Sequence, residues 1–368
     1  MKTATITFHA CNNNGSFFQA YVLQNTITKQ FGVENAVIDF QSEKQLRLYK
    51  LFRPIRSPKD IAKNLVSLRN YRKLKKRNSR FENMRKAYLN MTERCSTEEE
   101  VYKIAEAYDL LIAGSDQIWN TTAPDFSDAY FLPDVNKPKI TFSVSCGSVS
   151  AESTLAPYSK AICGFSSVSV RDADTACHLK KQTGVEAVVT ADPTLLADAD
   201  VFCEMTSDKP LVSGDYIFFY SIMYQPEVVK RAKAIAEQLG MRIITVFTSF
   251  RTVVAERAGI DVKFDAGPSE FLNLIQNAKY VLTNSFHGTA FSIIFQKPFL
   301  HICETENGEL KRDDRIDNLI DELGISQCNI GTDDLPAVFP EIDWEIVSKK
   351  RTVMKKKSLD YLNAVIGG

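Results

Sequence analysis

The stretch that decides the fold is Tyr280-Val-Leu-Thr-Asn-Ser-Phe-His-Gly-Thr-Ala-Phe-Ser-Ile-Ile-Phe-Gln-Lys-Pro-Phe-Leu300. A β-favouring run, Tyr280 to Leu282, stops at small polar residues, and after Gly288 an apolar run resumes at helical spacing through Phe291, Ile294 and Phe295. The pattern predicts strand, tight loop, helix, strand. In open α/β sheets ligands bind beyond the carboxyl ends of the strands, where a helix N-terminus offers unpaired N–H groups to an anion. His287 falls at that spot. On position alone it is either a site residue or a strand-end imidazole bonded to a neighbour, because structural networks share this pattern.

Outward from this unit the same rhythm continues. Tyr216 to Tyr220, Arg242 to Phe247 and Phe299 to Ile302 read as strands, with helices near Pro226 to Leu239 and Pro268 to Asn277. A loop, Glu304 to Asp314, precedes a helix start at Arg315. In the first half, Thr3 to Phe8 alternates like a strand, Cys11 to Ser16 is a polar loop, Phe17 to Gln24 is an amphipathic helix, and Val37 to Asp39 is a second strand. Asp109 to Ala113 is a short apolar run, as a buried parallel strand would be, and it delivers Gly114, Ser115 and Asp116 to its carboxyl end. Ile140 to Val144, Val168 to Val170 and Val188 to Ala191 add strands, with helices over Leu155 to Phe165 and Arg171 to Gln182.

The expected fold class is α/β, with two Rossmann-like domains facing a cleft. We place the first domain at 1–195, the second at 196–345, and a terminal amphipathic helix at 346–368 that packs back on the first. About 42–90 breaks the α/β rhythm and reads as a helical basic insertion in the first domain. It holds thirteen Lys or Arg between Arg53 and Lys86, interleaved with Leu65, Leu68, Tyr71, Leu74 and Phe81. A basic amphipathic helix suits the surface of an anionic membrane, and solvated helix faces share the pattern.

With 368 residues, 44% hydrophobic and 24% charged, the chain has the composition of a globular protein of two domains. Lys+Arg and Asp+Glu are 45 each, so no net charge draws it to nucleic acid, and no nucleic-acid motif is present. No apolar run reaches the ~18 residues of a membrane span, and the first residues lack a signal-peptide core, which predicts a cytoplasmic protein. The eight cysteines are scattered, without C-x-x-C pairs or zinc-ligand spacing, so reduced thiols and no metal are expected.

Several polar positions carry two readings each. Asn13 and Asn14 line a crevice with amide donors and acceptors, or only shape a turn. Asp116 projects into a ligand site, or closes an Asx-turn. Arg171, at a strand-to-helix turn, grips a phosphate or carboxylate in bidentate fashion, or pairs with Asp172 or Asp174. Trp119 is expected to support its loop by packing.

The segment Ser285-Phe286-His287-Gly288-Thr289-Ala290-Phe291-Ser292, together with Gly114-Ser115-Asp116-Gln117-Ile118-Trp119-Asn120, resembles the polysaccharide pyruvyl transferase family. Asn13-Asn14-Gly15-Ser16 with Gln19-Ala20-Tyr21, Ser169-Val170-Arg171-Asp172 and Asp192-Pro193-Thr194-Leu195-Leu196 resemble it too, in order along most of the chain. The resemblance implies a GT-B-like pair of domains and transfer of the enolpyruvyl group of phosphoenolpyruvate to two hydroxyls of one sugar. The product is a cyclic ketal in a surface-polysaccharide precursor, and phosphate is released. It implies no cofactor and a sugar acceptor that is free or lipid-linked; the basic stretch at about 42–90, not the resemblance, is what would add peripheral contact with the inner face of the membrane to a cytoplasmic protein.

Each chemical demand then maps onto a residue type. An imidazolium, with an unperturbed pKa of ~6.5, suits protonation of the methylene carbon, which assigns His287 as acid. A carboxylate suits removal of a hydroxyl proton, which assigns Asp116 as base. Arg171, Arg315, Ser285, Gly288 and Thr289 are the expected donor-binding residues, and Asn13, Asn14, Ser115 and Gln117 the expected acceptor-binding ones. One departure stands out. Many family members have Arg-Leu-His where this chain has Ser285-Phe286-His287, so Arg315, Lys297 or Arg312 must supply the charge, or the donor is held differently. The alternatives are a GT-B glycosyltransferase using a nucleotide sugar and a non-catalytic glycan-binding or assembly protein.

Overall fold

The structure, a computed structural model, describes residues 1–147, 154–306, 309–311, 313–330 and 338–367; Arg312 lies outside these. The chain divides into two compact units. The first comprises Met1–Lys50, Arg85–Ala197 and Arg351–Gly368, the second Leu51–Met84 and Asp198–Lys350.

The first unit is built on β1 (Lys2–Ile6), β2 (Glu34–Phe40), β3 (Met91–Cys95), β4 (Leu110–Ala113) and β5 (Lys139–Thr141), in the order β3-β2-β1-β4-β5. All four pairings are parallel. The chain works outward from β1 on one side and then, after β3, from β4 on the other, so the order reverses between β1 and β4. Hydrogen bonds from Thr141 N–H to Ser167 O and from Val144 N–H to Ser169 O continue the array to a short parallel pair, β6 (Ser169–Val170) and β7 (Val188–Val189). Every residue of β4 is buried, which explains its unbroken apolar sequence. Trp119 is buried and stacks on Phe131 at 5.2 Å, so it supports its loop from within the core. The last helix, Trp344–Ile366, fastens to this unit where the Tyr361 hydroxyl donates to Thr141 O (2.9 Å) and Ser358 Oγ accepts from Ala191 N–H (2.8 Å).

The second unit repeats the scheme with β8 (Ile217–Tyr220), β9 (Ile243–Val246), β10 (Asp261–Lys263), β11 (Tyr280–Thr283), β12 (Phe299–Ile302) and, beyond a small antiparallel pair β13 (Glu304–Glu306) and β14 (Glu309–Lys311), β15 (Asn329–Ile330). The order is β10-β9-β8-β11-β12-β15, all parallel, and it reverses between β8 and β11. Leu282 lies between Phe219 on one side and Leu300 on the other.

Four expectations change. The basic stretch does not belong to the first unit: Leu51–Met84 groups with the second. Leu74 packs with Phe247 and Phe264, and Arg80 pairs with Asp265 and Glu270, so its helix is fixed to that sheet's periphery by apolar contact and charge together. The helix expected after Gly288 begins at Phe286, which puts His287 inside its first turn. The β13 and β14 hairpin occupies part of the expected loop at 304–314. Leu155 to Phe165 resolves into a 3₁₀ turn, Ala156–Tyr158, and one short α-helix, Ser159–Cys163.

Candidate functional site

Each unit brings expected site residues to its own switch point, where the strand order reverses, whereas Arg315 lies at the start of the later helix Asp314–Leu323. In the second unit the crevice lies beyond β8 and β11. Thr283 closes β11 with a hydroxyl that donates to Tyr220 O (2.7 Å) and accepts from Ser285 N–H (3.0 Å), tying the two strand ends together. The helix Phe286–Ile294 starts at once. A Cβ on Gly288 would lie 2.1 Å from Thr283 Oγ1 and 3.1 Å from a Tyr220 ring carbon, so only glycine lets the helix pack this closely on the strand ends. Gly288 thus has a steric reason to be present whatever its backbone binds.

The start of that helix is chemically unusual. Ser285 occupies the cap position, yet its side chain makes no cap bond to the helix. Its Oγ and the Oγ1 of Thr289, one turn on, are both buried and without a hydrogen-bond partner among the described residues. Buried hydroxyls are ordinarily bonded, and these two stand at a positive helix end. His287, buried and edge-on to Phe286, sits between them in sequence.

In the first unit the crevice lies beyond β1 and β4. Gly114 has φ 125°, and a Cβ there would lie 2.2 Å from Phe142 O, so the chain turns sharply off β4 where no other residue fits. Asp116 follows with φ 75°, a conformation that aspartate tolerates better than most residues. Ser16 Oγ donates to its Oδ2 (2.8 Å) and Gln117 N–H to its Oδ1 (2.8 Å), which holds the carboxylate at the start of the helix Asn14–Gln30. Asn13 caps that helix through Oδ1, which accepts from Gly15 N–H (2.9 Å), so its side chain serves the turn. Asn14 Oδ1 is buried and has no hydrogen-bond partner among the described residues. Gln117 Oε1 accepts from Asn120 Nδ2 (3.2 Å).

One residue quoted only within a motif organises this end of the sheet. Gln19 Nε2 donates to Thr7 Oγ1 (3.0 Å), Phe8 O (2.9 Å) and Ser16 O (2.9 Å), while its Oε1 accepts from Ser115 N–H (3.2 Å). It joins the end of β1, the first helix and the turn after β4. Nearby, His9 places Nδ1 3.1 Å from Thr7 O and Nε2 3.1 Å from Asp39 Oδ1. Burial pushes the Asp39 carboxyl up, but the His9 hydrogen bond and its companions prevail and hold it well below the usual carboxylate range. Sequence reasoning passed over both, because a histidine and an aspartate 30 residues apart form no motif until β1 and β2 pair.

The expected cations have strong partners within the protein. Arg171 pairs with Asp192, Nη2 to Oδ2 at 2.6 Å, both side chains almost wholly buried, and the same nitrogen donates to Ser115 Oγ (2.9 Å). Asp172 caps the following helix, its Oδ1 accepting from Thr175 N–H (2.6 Å). Arg171 thus ties Ser115 to Asp192. Arg315 makes a fork to Asp313, its Nε 2.8 Å from Oδ1. Burial raises the Asp313 carboxyl, and the Arg315 charge reverses this, leaving it below the usual range. Burial lowers the Lys297 amine from its ordinary value.

The family model for polysaccharide pyruvyl transferase matches residues 13–302. The chain belongs to the polysaccharide pyruvyl transferase family. That span contains every expected site residue except Arg315. Comparison with curated protein sequences finds no match. Among solved structures, the family member here is similar to the UDP-GlcNAc 2-epimerase of Methanocaldococcus jannaschii, with TM-score 0.53, 12% identity, and all of both chains covered. It is also similar to the S. aureus MnaA–UDP co-structure, with TM-score 0.54 and 12% identity, over 99% of this chain and 95% of that one. At such identity the likeness speaks to fold alone, and it agrees with two Rossmann-like domains of GT-B type.

Proposed function

We propose that this pyruvyl transferase family member moves the enolpyruvyl group of phosphoenolpyruvate onto two hydroxyls of one sugar in a surface-polysaccharide precursor. Family membership supports the transferase class. The observation that supports the site is the start of the helix Phe286–Ile294, where His287 lies in sequence between two buried hydroxyls, Ser285 and Thr289, that have no hydrogen-bond partner among the described residues.

In this reading His287 gives its proton to the methylene carbon of the donor, which becomes the ketal methyl. Positive charge develops on the adjacent carbon, and a sugar hydroxyl adds there as Asp116 takes its proton. The C–O bond to phosphate then breaks with both electrons leaving on phosphate, and the second hydroxyl closes the ring. One hydroxyl proton replaces that given by His287, and the other leaves with phosphate. The Ser285 and Thr289 hydroxyls and the helix N–H groups bind the anionic donor, in place of the guanidinium that many family members carry at 285. Asn14 and the Ser115–Gln117 turn bind the acceptor, with Arg171 positioning Ser115 from behind.

The nucleotide-sugar alternative shares the fold, and the structural relatives named above are a UDP-GlcNAc 2-epimerase and a UDP co-structure. Family membership favours pyruvyl transfer. Thermal shift separates the two: phosphoenolpyruvate raises the melting temperature by mass action and UDP does not. Incubation with phosphoenolpyruvate and a panel of free and lipid-linked sugars should release phosphate and add the mass of a pyruvate ketal. Stabilisation by UDP, with no phosphate released on any acceptor, would give the protein to the rival class.

A further inference from the structure

We propose that the outer face of the helical segment Leu51–Met84 docks on an anionic lipid bilayer. The helix Pro58–Arg69 is inside out. Ile61, Leu65 and Leu68, spaced to share one face, are 47%, 60% and 66% exposed. Its polar side chains turn inward instead: Ser67 is buried and bonded to Leu51 O, and Asn64 exchanges two hydrogen bonds with the backbone of Arg53. A helix on a globular protein buries its apolar face, so this arrangement marks an interaction surface. Phe52, Ile55 and Tyr71, all exposed, extend it.

Charge selects the occupant. Arg53 to Lys86 holds thirteen Lys or Arg against only Asp60 and Glu82, in a chain that is balanced overall. The cations divide by direction. Arg77 is buried over the rings of Phe81 and Phe247, at 4.8 and 5.5 Å, and Arg80 pairs with Asp265 and Glu270, which anchors the segment to its unit. Arg56, Lys59, Arg72, Lys73 and Lys75 face solvent. Nucleic acid would engage the cations but leave Ile61, Leu65 and Leu68 in water. A second copy of this chain is the rival occupant, since its residues outside 53–86 carry 43 Asp+Glu against 32 Lys+Arg, and light scattering tells it apart from a bilayer. An anionic bilayer takes both, apolar side chains at the acyl boundary and cations among the headgroups.

The test is flotation of the full chain with vesicles of phosphatidylcholine, alone or with about one-third phosphatidylglycerol. The protein floats with the anionic vesicles and not the neutral ones. Leu65→Glu with Leu68→Glu lowers the bound fraction about tenfold, and Arg72→Glu with Lys75→Glu does so in a salt-dependent way. All four positions are exposed, so an unchanged melting temperature shows that the fold is intact. No flotation with anionic vesicles overturns the proposal, as does flotation unaffected by either double variant. It is equally overturned if light scattering finds a dimer that only Leu65→Glu with Leu68→Glu abolishes, or if the chain binds a labelled oligonucleotide but no vesicle.

Discussion

The two switch points share a topology and differ in how their polar groups are spent. Beyond β1 and β4, hydrogen bonds run through Ser16, Gln19, Ser115, Asp116 and Arg171, and Ser115, Asp116, Gln117 and Arg171 are each held by another side chain. Beyond β8 and β11 a helix begins directly on the strand end, and the Ser285 and Thr289 hydroxyls have no hydrogen-bond partner among the described residues. The first arrangement fixes a carboxylate and a set of polar edges in place, as recognition of a neutral polyol requires. The second concentrates partial positive charge, as an anion requires. The contrast teaches that one fold used twice need not build the same kind of site twice.

The largest effect expected from this contrast is at His287. His287→Ala should fold normally and lose roughly 10²- to 10⁴-fold in turnover with phosphoenolpyruvate, the share of a proton donor. Steady-state phosphate release measures it, and full turnover by a folded variant would remove the second switch point from the chemistry.

Arg171 sharpens the contrast from the other side. If it positions Ser115 through a buried pair with Asp192, Arg171→Ala leaves a buried carboxylate uncompensated and costs about 3–5 kcal/mol of stability. Denaturant unfolding reads this directly. If instead Arg171 grips the donor, Arg171→Lys raises the donor KM while stability barely changes. The buried pair predicts the reverse, a clear loss of stability with the donor KM little altered.

The fold was legible where burial is one-sided or complete. Asp109 to Ala113 and Phe299 to Ile302 read as strands because buried parallel strands must be apolar throughout, and β4 and β12 are wholly buried. Met91–Cys95 was not legible, because an edge strand half in water carries Thr, Glu and Arg. The placement of the basic stretch was misread because sequence order put it inside the first domain, whereas the contacts that fix it are between Leu74 and the distant Phe247 and Phe264. At the site, motif order picked out His287, Asp116 and Ser285. It missed the buried Asp192 partner of Arg171 and the half-buried Asp313 partner of Arg315, because the pairing of a cation with one acid among several neighbours depends on side-chain direction, not spacing.

Gly288 tests whether the second switch point needs its close approach. Gly288→Ala would push a methyl into Thr283 and Tyr220, an overpacking of about 1–3 kcal/mol, and would shift the helix start that carries His287. Activity should therefore fall more than stability does. Equal turnover in wild type and variant would show that the helix can move without consequence.

The smallest effect compares the two units by pH. In the second unit His301 is buried, with Nδ1 2.9 Å from Asn329 Oδ1; burial lowers it below its ordinary 6.5, and the Asn329 bond and the Asp313 and Asp317 carboxylates do not restore it. A folded value below the unfolded one means that the neutral ring stabilises the fold above pH ~6.5 and that this stability is lost as pH falls further. In the first unit Asp39 is also depressed, but from 3.8, so its contribution persists until pH drops below about 4. Between pH 7 and 5 the melting temperature should therefore decline because of His301, and His301→Gln, which cannot titrate, should flatten the curve there while leaving the steeper fall below pH 4 intact. A variant curve parallel to wild type from pH 7 to 5 would place the early acid sensitivity elsewhere and remove this distinction between the units.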